Sequence, residues 1–234
     1  MIDQPEIVET SGENPRDKVL DAALMHVPFD GWSEATLKRA IADSELEPGL
    51  ARSLFPRGAV DLALAFHMRG DEELAAWLAT ADMTGMGMTA KITRAVRKRL
   101  ELIEGEREAV RRGATLFALP MHAADGAKAI WNTADTIWSG LGDGSRDINW
   151  YTKRATLSGV YSSTVLYWLG DDSLGSEKTW AFLDRRIADV MRIEKAKAWA
   201  KDTPMARAWA AGPGRVLDRV TAPNVRMPGR WRRP

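Results

Sequence analysis

The side chains that most often carry out chemistry are scattered along this sequence. The three histidines, His26, His67 and His122, lie far apart, and none has a second histidine or a carboxylate in a helical pattern that we take as evidence of a metal site. There is no cysteine, which excludes disulfides, thiolate catalysis and cysteine-based metal sites. The sequence contains no GxSxG nucleophile motif and no GxxxxGK(S/T) or GxGxxG phosphate loop. We therefore predict a protein that is not an enzyme and has no catalytic residue, metal site or cofactor.

Large apolar side chains at helical spacing are the feature best suited to binding a ligand. The sequence has 10 tryptophans, and the segments 122–141, 147–169 and 176–200 each carry bulky residues three or four positions apart, on one helix face. Such faces either pack together as an ordinary core, which is the default interpretation, or line an apolar slot between helices. The candidate lipid-binding residues are Ile130, Trp131, Ile137, Trp138, Leu157, Tyr161, Val165, Trp168, Leu183 and Ile187.

A second candidate site lies at the start of the segment 147–169. Asn149, Trp150, Tyr151 and Arg154 fall within two helical turns, and Trp, Tyr and Arg are the residues most enriched in binding hot spots. One interpretation is a surface patch that binds a partner. The other is that Trp150 belongs to the core and that Arg154 pairs with Asp147.

Helical sequence character extends through most of the chain and positions both candidate sites. Ala, Leu, Arg, Glu and Lys dominate, and strand-type alternation is absent, so we predict an all-α fold. Residues 1–14 are predicted to be disordered, 15–200 to form one helical domain, and 201–234 to form a basic tail rich in Trp, Pro and Gly. Predicted helices span 16–28, 34–43, 49–54, 58–79, 89–104, 106–119, 122–141, 147–169 and 176–200, of which those within 89–200 form a C-terminal bundle.

The segment 16–58 has the rhythm of a helix-turn-helix module but not its charge. A DNA reader gains most of its affinity by neutralising phosphates with Lys and Arg. This segment has 7 acids against 6 bases, and Glu45 and Glu47 precede the candidate recognition helix. An anion facing a phosphate repels it. We therefore predict a degenerate helix-turn-helix and no nucleic-acid partner.

Charge is distributed unevenly between the two ends of the chain. Residues 1–80 carry 15 acids against 7 bases, whereas residues 192–234 carry 11 bases against 3 acids. Basic residues beside Trp are typical of segments that bind a bilayer surface. The alternatives are a disordered basic tail, or a tail that binds the acidic end of another subunit. The candidate membrane residues are Trp199, Lys201, Met205, Arg207 and Trp209.

Two resemblances follow from particular motifs. RDKVLDAALMHVPFDGWSEATLKRAIADSELEPG and LFPRGAVDLALAF resemble the N-terminal module of TetR-type regulators, from which ELEPG departs at the turn before the recognition helix. The stretch 147–191, with DxNWYTxR, Asp171-Asp172 and TWxFLxRRI, is similar to the ubiquinone-biosynthesis accessory family known as coenzyme Q protein nine. This second resemblance runs from about 16 to 195.

The second resemblance implies a fold and a function. It implies a TetR-like helical bundle that forms homodimers, holds an isoprenoid quinone or phospholipid among its C-terminal helices, and contacts the membrane peripherally through its C-terminal region. It also implies that the patch at 149–154 meets the di-iron demethoxyubiquinone hydroxylase, whose iron belongs to that partner. Because the N-terminus lacks the features of a secretory signal or transit peptide, we expect a cytoplasmic protein on the inner membrane. The alternatives are a TetR-type transcriptional regulator with a hydrophobic ligand pocket and a dimeric scaffold without a ligand.

Overall fold

A computed structural model describes residues 14–201 and 221–222, with the backbone alone for 193–201. Of the segment 1–14 that is predicted to be disordered, residues 1–13 lie outside the described residues, as does most of the predicted tail, whereas Asn14 is described and caps the first helix. The described part of the chain is helical and contains no strand, which confirms the all-α fold class, and the observed helix bounds agree with the predicted ones to within three residues. The helices are α1 (Pro15–Asp30), α2 (Glu34–Asp43), α3 (Pro48–Ser53), α4 (Ala59–Thr80), α5 (Met88–Glu101), α6 (Arg107–Phe117), α7 (Ala123–Gly140), α8 (Ile148–Leu169) and α9 (Glu177–Lys201), with short 3-10 turns at Glu104–Glu106 and Leu174–Ser176.

Local sequence signals explain where these helices begin and end. Asn14 caps α1 by accepting a hydrogen bond from the amide of Arg16, and Pro15 occupies the first helical position, where no amide hydrogen is needed. Gly31 ends α1 with a φ of +65°, a conformation that costs glycine little. Asp147 caps α8 by accepting from the amide of Asn149 at 3.0 Å.

The chain forms two compact units. The first unit comprises residues up to Arg69 together with Glu106–Gly126, and so contains the predicted helix-turn-helix at 16–58. Its core is built from apolar residues of α1, α2, α3, α4 and α6, and Trp32 closes it by donating its indole hydrogen to the carbonyl of Ala109 at 2.9 Å. The fully buried members of this core include Val19, Ala23, Val27, Leu37 and Phe55.

The second unit comprises Gly70–Gly105 and the chain from Ala127 onwards. It contains the C-terminal part of α4, the whole of α5, most of α7, and α8 and α9. Both candidate sites lie on α7, α8 and α9. The predicted bundle at 89–200 therefore lies largely in this unit, except that 106–126 belongs to the first unit. Its largest fully buried apolar side chains are Leu74, Leu100, Ile137, Trp168 and Leu183. Among the residues with described placement, no helix combines the length and apolarity needed to cross a bilayer.

Candidate lipid-binding and partner-binding sites

The recognition-helix position of the helix-turn-helix is closed by a carboxylate. Glu47 caps α3 and accepts hydrogen bonds from the amides of Gly49 and Leu50 at 2.8 and 2.6 Å, and these bonds lower the pKa of Glu47. They satisfy amide hydrogens that would otherwise point towards an approaching phosphate. The base within α3, Arg52, donates to Glu34 at 2.8 Å. This end of the unit therefore presents anions where a DNA reader presents cations.

The ten predicted lipid-binding residues all lie in the second unit. Seven are buried: Ile137, Trp138, Leu157, Tyr161, Trp168, Leu183 and Ile187. The other three, Ile130, Trp131 and Val165, are half-buried at the edge of the core. A core position is thus confirmed for most of the set, and binding of a lipid between these helices remains a prediction.

Three of the buried aromatic residues carry polar groups into the core. Trp168 donates its indole hydrogen to Glu104 Oε2 at 2.9 Å, and Trp138 donates to the carbonyl of Lys153 at 3.1 Å. Burial raises the pKa of the Tyr161 hydroxyl, so this group stays neutral and able to donate a hydrogen bond. The apolar core therefore contains fixed polar atoms at several points.

A buried ion pair lies close to Tyr161, and sequence reasoning missed it. Arg99 Nε donates to Asp71 Oδ1 at 2.9 Å, and the Thr133 hydroxyl donates to the same oxygen at 2.8 Å. The guanidinium packs against Gly70 so closely that the Cβ of any larger residue at this position would come within 2.5 Å of it. The sequence signal was present, because Arg99 occupies the buried face of α5 among apolar residues.

The predicted partner residues form an aromatic cluster at the start of α8. The rings of Trp150 and Tyr151 meet edge to face with centroids 4.8 Å apart, and Trp131 of α7 lies 5.9 Å from Trp150. Trp150 and Tyr151 are half-buried, whereas Asn149 is exposed and donates to Asp147 Oδ2 at 2.8 Å. Trp131, predicted to bind lipid, therefore belongs to the same cluster as two predicted partner residues.

The structure contradicts both interpretations of Arg154, as a surface contact for a partner and as the ion-pair partner of Asp147. It is 2% exposed, so it is not a surface contact, and its carboxylate partners are others than Asp147. Its Nε donates to Asp135 Oδ1 at 2.7 Å and its Nη1 donates to Asp143 Oδ2 at 3.1 Å. The guanidinium lies 4.0 Å from the centre of the Trp150 ring, within cation–π range. The prediction failed because three acids precede Arg154 within 20 residues of sequence, and only the packing of α8 against α7 and the 141–147 loop decides which of them it meets.

Hydrogen bonds from α8 to Asp143 connect the 141–147 loop to this helix. Lys153 Nζ donates to Asp143 Oδ1 at 2.8 Å and to Ser145 Oγ at 2.7 Å. Burial would raise the pKa of Asp143, but hydrogen bonds from Lys153, Ser145 and Arg154 outweigh burial and lower this pKa to about 2. Asp143 is therefore an anion at neutral pH.

The predicted membrane residues are described in part. Trp199 and Lys201 lie in α9 by their backbone, and Met205, Arg207 and Trp209 lie outside the described residues. Further along the chain, the amide of Ala222 donates to the carbonyl of Arg146 at 2.8 Å. Among the described residues, no group of three or more acidic or histidine side chains is arranged to hold a metal ion.

The fold first defines a class of protein. A crystal structure of a TetR transcriptional regulator from Nitrosomonas europaea matches with a TM-score of 0.62 at 19% sequence identity, covering 75% of this chain and 97% of that chain. At this identity the likeness establishes the fold alone. The protein therefore has a TetR-like all-helical fold, as the sequence predicted.

Sequence comparison then defines the family. The COQ9 family model matches residues 123–194, which run from α7 through most of α9. The rat ubiquinone biosynthesis protein COQ9, mitochondrial, is 31% identical over 221 residues, covering 85% of this chain and 69% of the rat protein. The proteins of the same name from human and Drosophila melanogaster are 30% and 31% identical, covering 82% and 76% of this chain. The chain belongs to the COQ9 family, and it spans 63% of the human protein and 56% of the fly protein.

Proposed function

We propose that the protein is a non-catalytic accessory protein of ubiquinone biosynthesis. In this proposal it forms a homodimer held peripherally on the membrane, binds an isoprenoid quinone intermediate and presents it to the demethoxyubiquinone hydroxylase. The observation that carries this proposal is the position of the family match. Residues 123–194 contain all ten candidate lipid-binding residues and the whole aromatic cluster. The segment that the COQ9 family model matches is thus also the segment that carries the candidate binding residues.

The lipid-binding part of the proposal follows from the apolar character of a polyprenyl tail. Exposing such a tail to water costs about 0.8 kcal/mol per CH₂ group, or about 4 kcal/mol for each five-carbon unit. Because seven candidate residues are buried against protein, the tail is accommodated by opening space between α7, α8 and α9, starting at the half-buried side chains. A phospholipid chain is accommodated in the same way.

A pair of variants on α8 tests this part. Val165→Arg introduces a charge at the edge of the core, whereas Thr156→Arg introduces the same charge at an exposed position of the same helix. We expect binding of a short-chain quinone, measured by quenching of tryptophan fluorescence, to be lost in the first variant and retained in the second. Equal binding by both variants would contradict lipid binding at this face of α8.

The partner-binding part rests on the aromatic cluster. Trp150→Ala is expected to weaken binding of the hydroxylase at least tenfold in an equilibrium titration, because large aromatic residues dominate interface energies. Thr152→Ala, an exposed change in the same helical turn, is the matched control. The melting temperature of Trp150→Ala reports separately on packing: a large decrease would assign Trp150 to the core.

The dimer part of the proposal places a second copy on α8 and α9. Leu166 is 65% exposed, and Tyr167 beside it stacks on Phe182 of α9 at a centroid distance of 4.4 Å. Large exposed apolar side chains such as Leu166 are typical of a subunit interface. Leu166→Arg is expected to convert the dimer to a monomer in sedimentation equilibrium, and an unchanged mass would contradict this interface.

The membrane part rests on sequence charge alone. The chain from 192 to 234 carries 11 bases and tryptophans at 199, 209 and 231, and each base near an anionic surface contributes about 1 kcal/mol. The protein is thereby held peripherally on the inner membrane from the cytoplasmic side. The relatives named above are mitochondrial by name. Salt-sensitive binding to vesicles containing anionic lipid tests this part, and binding that is equal with neutral vesicles would contradict it.

A further inference from the structure

The aromatic cluster packs against one buried guanidinium, that of Arg154. Arg154 donates to Asp135 on α7 and to Asp143 on the 141–147 loop, and its Nη1 also donates to the carbonyl of Trp150 at 3.1 Å. A single side chain thus joins a neighbouring helix, a loop and the first turn of α8. Lysine presents one ammonium group on a flexible stem and cannot reproduce this planar fork.

The Asp143 carboxylate, which accepts from Arg154, is also fixed by other hydrogen bonds. Asp143 is 3% exposed and receives hydrogen bonds from Arg154, Lys153 and Ser145. Lys153 additionally lies 5.0 Å from the ring centre of Trp138, which donates to the Lys153 carbonyl. The loop therefore cannot move away from α8 without breaking several charge-assisted hydrogen bonds, which are about twice as strong as neutral ones.

This network meets the surface at Trp150. The guanidinium covers one face of the Trp150 ring at 4.0 Å, and the ring in turn contacts Tyr151 and Trp131. A half-buried indole without such support would sample several rotamers, and a partner would have to restrict them on binding. Fixing the ring before binding removes that entropic cost.

We propose that Arg154 and Asp143 are positioning residues that set the orientation of Trp150 and so create the surface that the hydroxylase recognises. This inference rests on the partner-binding part of the proposed function. Neither residue touches the partner. They act through the indole ring, so replacing them changes recognition without removing any contacting group.

The test uses the full chain with 5-fluorotryptophan incorporated, and the Trp150 fluorine resonance is assigned with Trp150→Phe. Arg154→Lys and Asp143→Asn are compared with Leu37→Ala, a core change in the first unit that lowers stability without touching the cluster. All measurements are made at least about 20 °C below the lowest melting temperature, so that every variant is folded. We expect the Trp150 resonance to shift or broaden in both network variants and hydroxylase affinity to fall at least tenfold, whereas Leu37→Ala changes neither.

The outcomes separate this inference from the function on which it rests. If Trp150→Ala leaves hydroxylase affinity unchanged, the partner-binding proposal fails. If Trp150→Ala weakens binding but the network variants keep either a native Trp150 resonance or native affinity, positioning by Arg154 and Asp143 is overturned. If Arg154→Lys and Asp143→Asn do not fold, Asp135→Asn is measured in their place, because it changes a half-buried carboxylate that accepts from Arg154.

Discussion

The buried pair Arg99–Asp71 yields the largest stability change that we expect from a single polar substitution. Its side chains are 2% and 10% exposed, and the Asp71 carboxylate accepts from both Arg99 and Thr133. Asp71→Ala removes the carboxylate that accepts from Arg99 Nε while the guanidinium stays buried, and breaking a buried pair from one side costs about 3–5 kcal/mol. The total free energy of unfolding is about 5–15 kcal/mol. We therefore expect the variant to fold, but with a much lower free energy of unfolding.

Chemical denaturation followed by circular dichroism measures this change, and thermal melting gives a second readout. At about 2–4 °C per kcal/mol for a chain of this size, the melting temperature falls by about 6–20 °C. Glu101→Ala breaks an exposed pair with Arg97 on the same helix and should cost less than about 1 kcal/mol. The double variant Asp71→Ala/Arg99→Met should recover part of the loss, because the buried guanidinium is replaced by an apolar side chain. A loss below about 1 kcal/mol in Asp71→Ala, or no recovery in the double variant, would refute the reasoning.

Three further predictions concern acid, packing and capping. The folded pKa of Asp143 is lowered from 3.8 to about 2 and that of Asp171 is also lowered, so the folded state takes up these protons later than the unfolded chain as pH falls. The free energy of unfolding should therefore be level above about pH 5 and fall as pH decreases from about 4 to 2 in acid titrations, with a smaller fall in Asp143→Asn. Gly140→Ala places a Cβ 2.6 Å from Leu78 Cδ1, and this overpacking should cost about 1–3 kcal/mol in urea unfolding, partly offset by the better helix propensity of alanine. Glu47→Ala removes the cap of α3 and should lower stability by about 0.5–2 kcal/mol by the same assay, whereas no change would show that the cap is idle.

The helices could be predicted because their signals are local. Asn14, Gly31 and Asp147 act within a few residues of their own positions, and apolar spacing reports the buried face of each helix. The family could be recognised for a related reason, since DxNWYTxR is a contiguous motif. Such features depend little on how distant segments pack.

The polar partners could not be predicted because they depend on that packing. Arg154 has acids at 135, 143 and 147 within reach in sequence, and it meets the first two. Asp71 and Arg99 lie 28 residues apart on different helices, and neither suggests the other by spacing. Burial of Arg154 also changes the role that we propose for it, from a residue that contacts a partner to one that positions the neighbouring Trp150.

Mass spectrometry of the purified full chain tests the proposed lipid binding most directly. The protein is sprayed under native conditions to find bound mass, and an organic extract of the same sample is then analysed to identify that mass. We predict a stoichiometric isoprenoid quinone or phospholipid that is released on denaturation and missing from Val165→Arg. A wild-type protein that carries no lipid, and takes none up when mixed with vesicles containing polyprenyl quinone, would contradict the account.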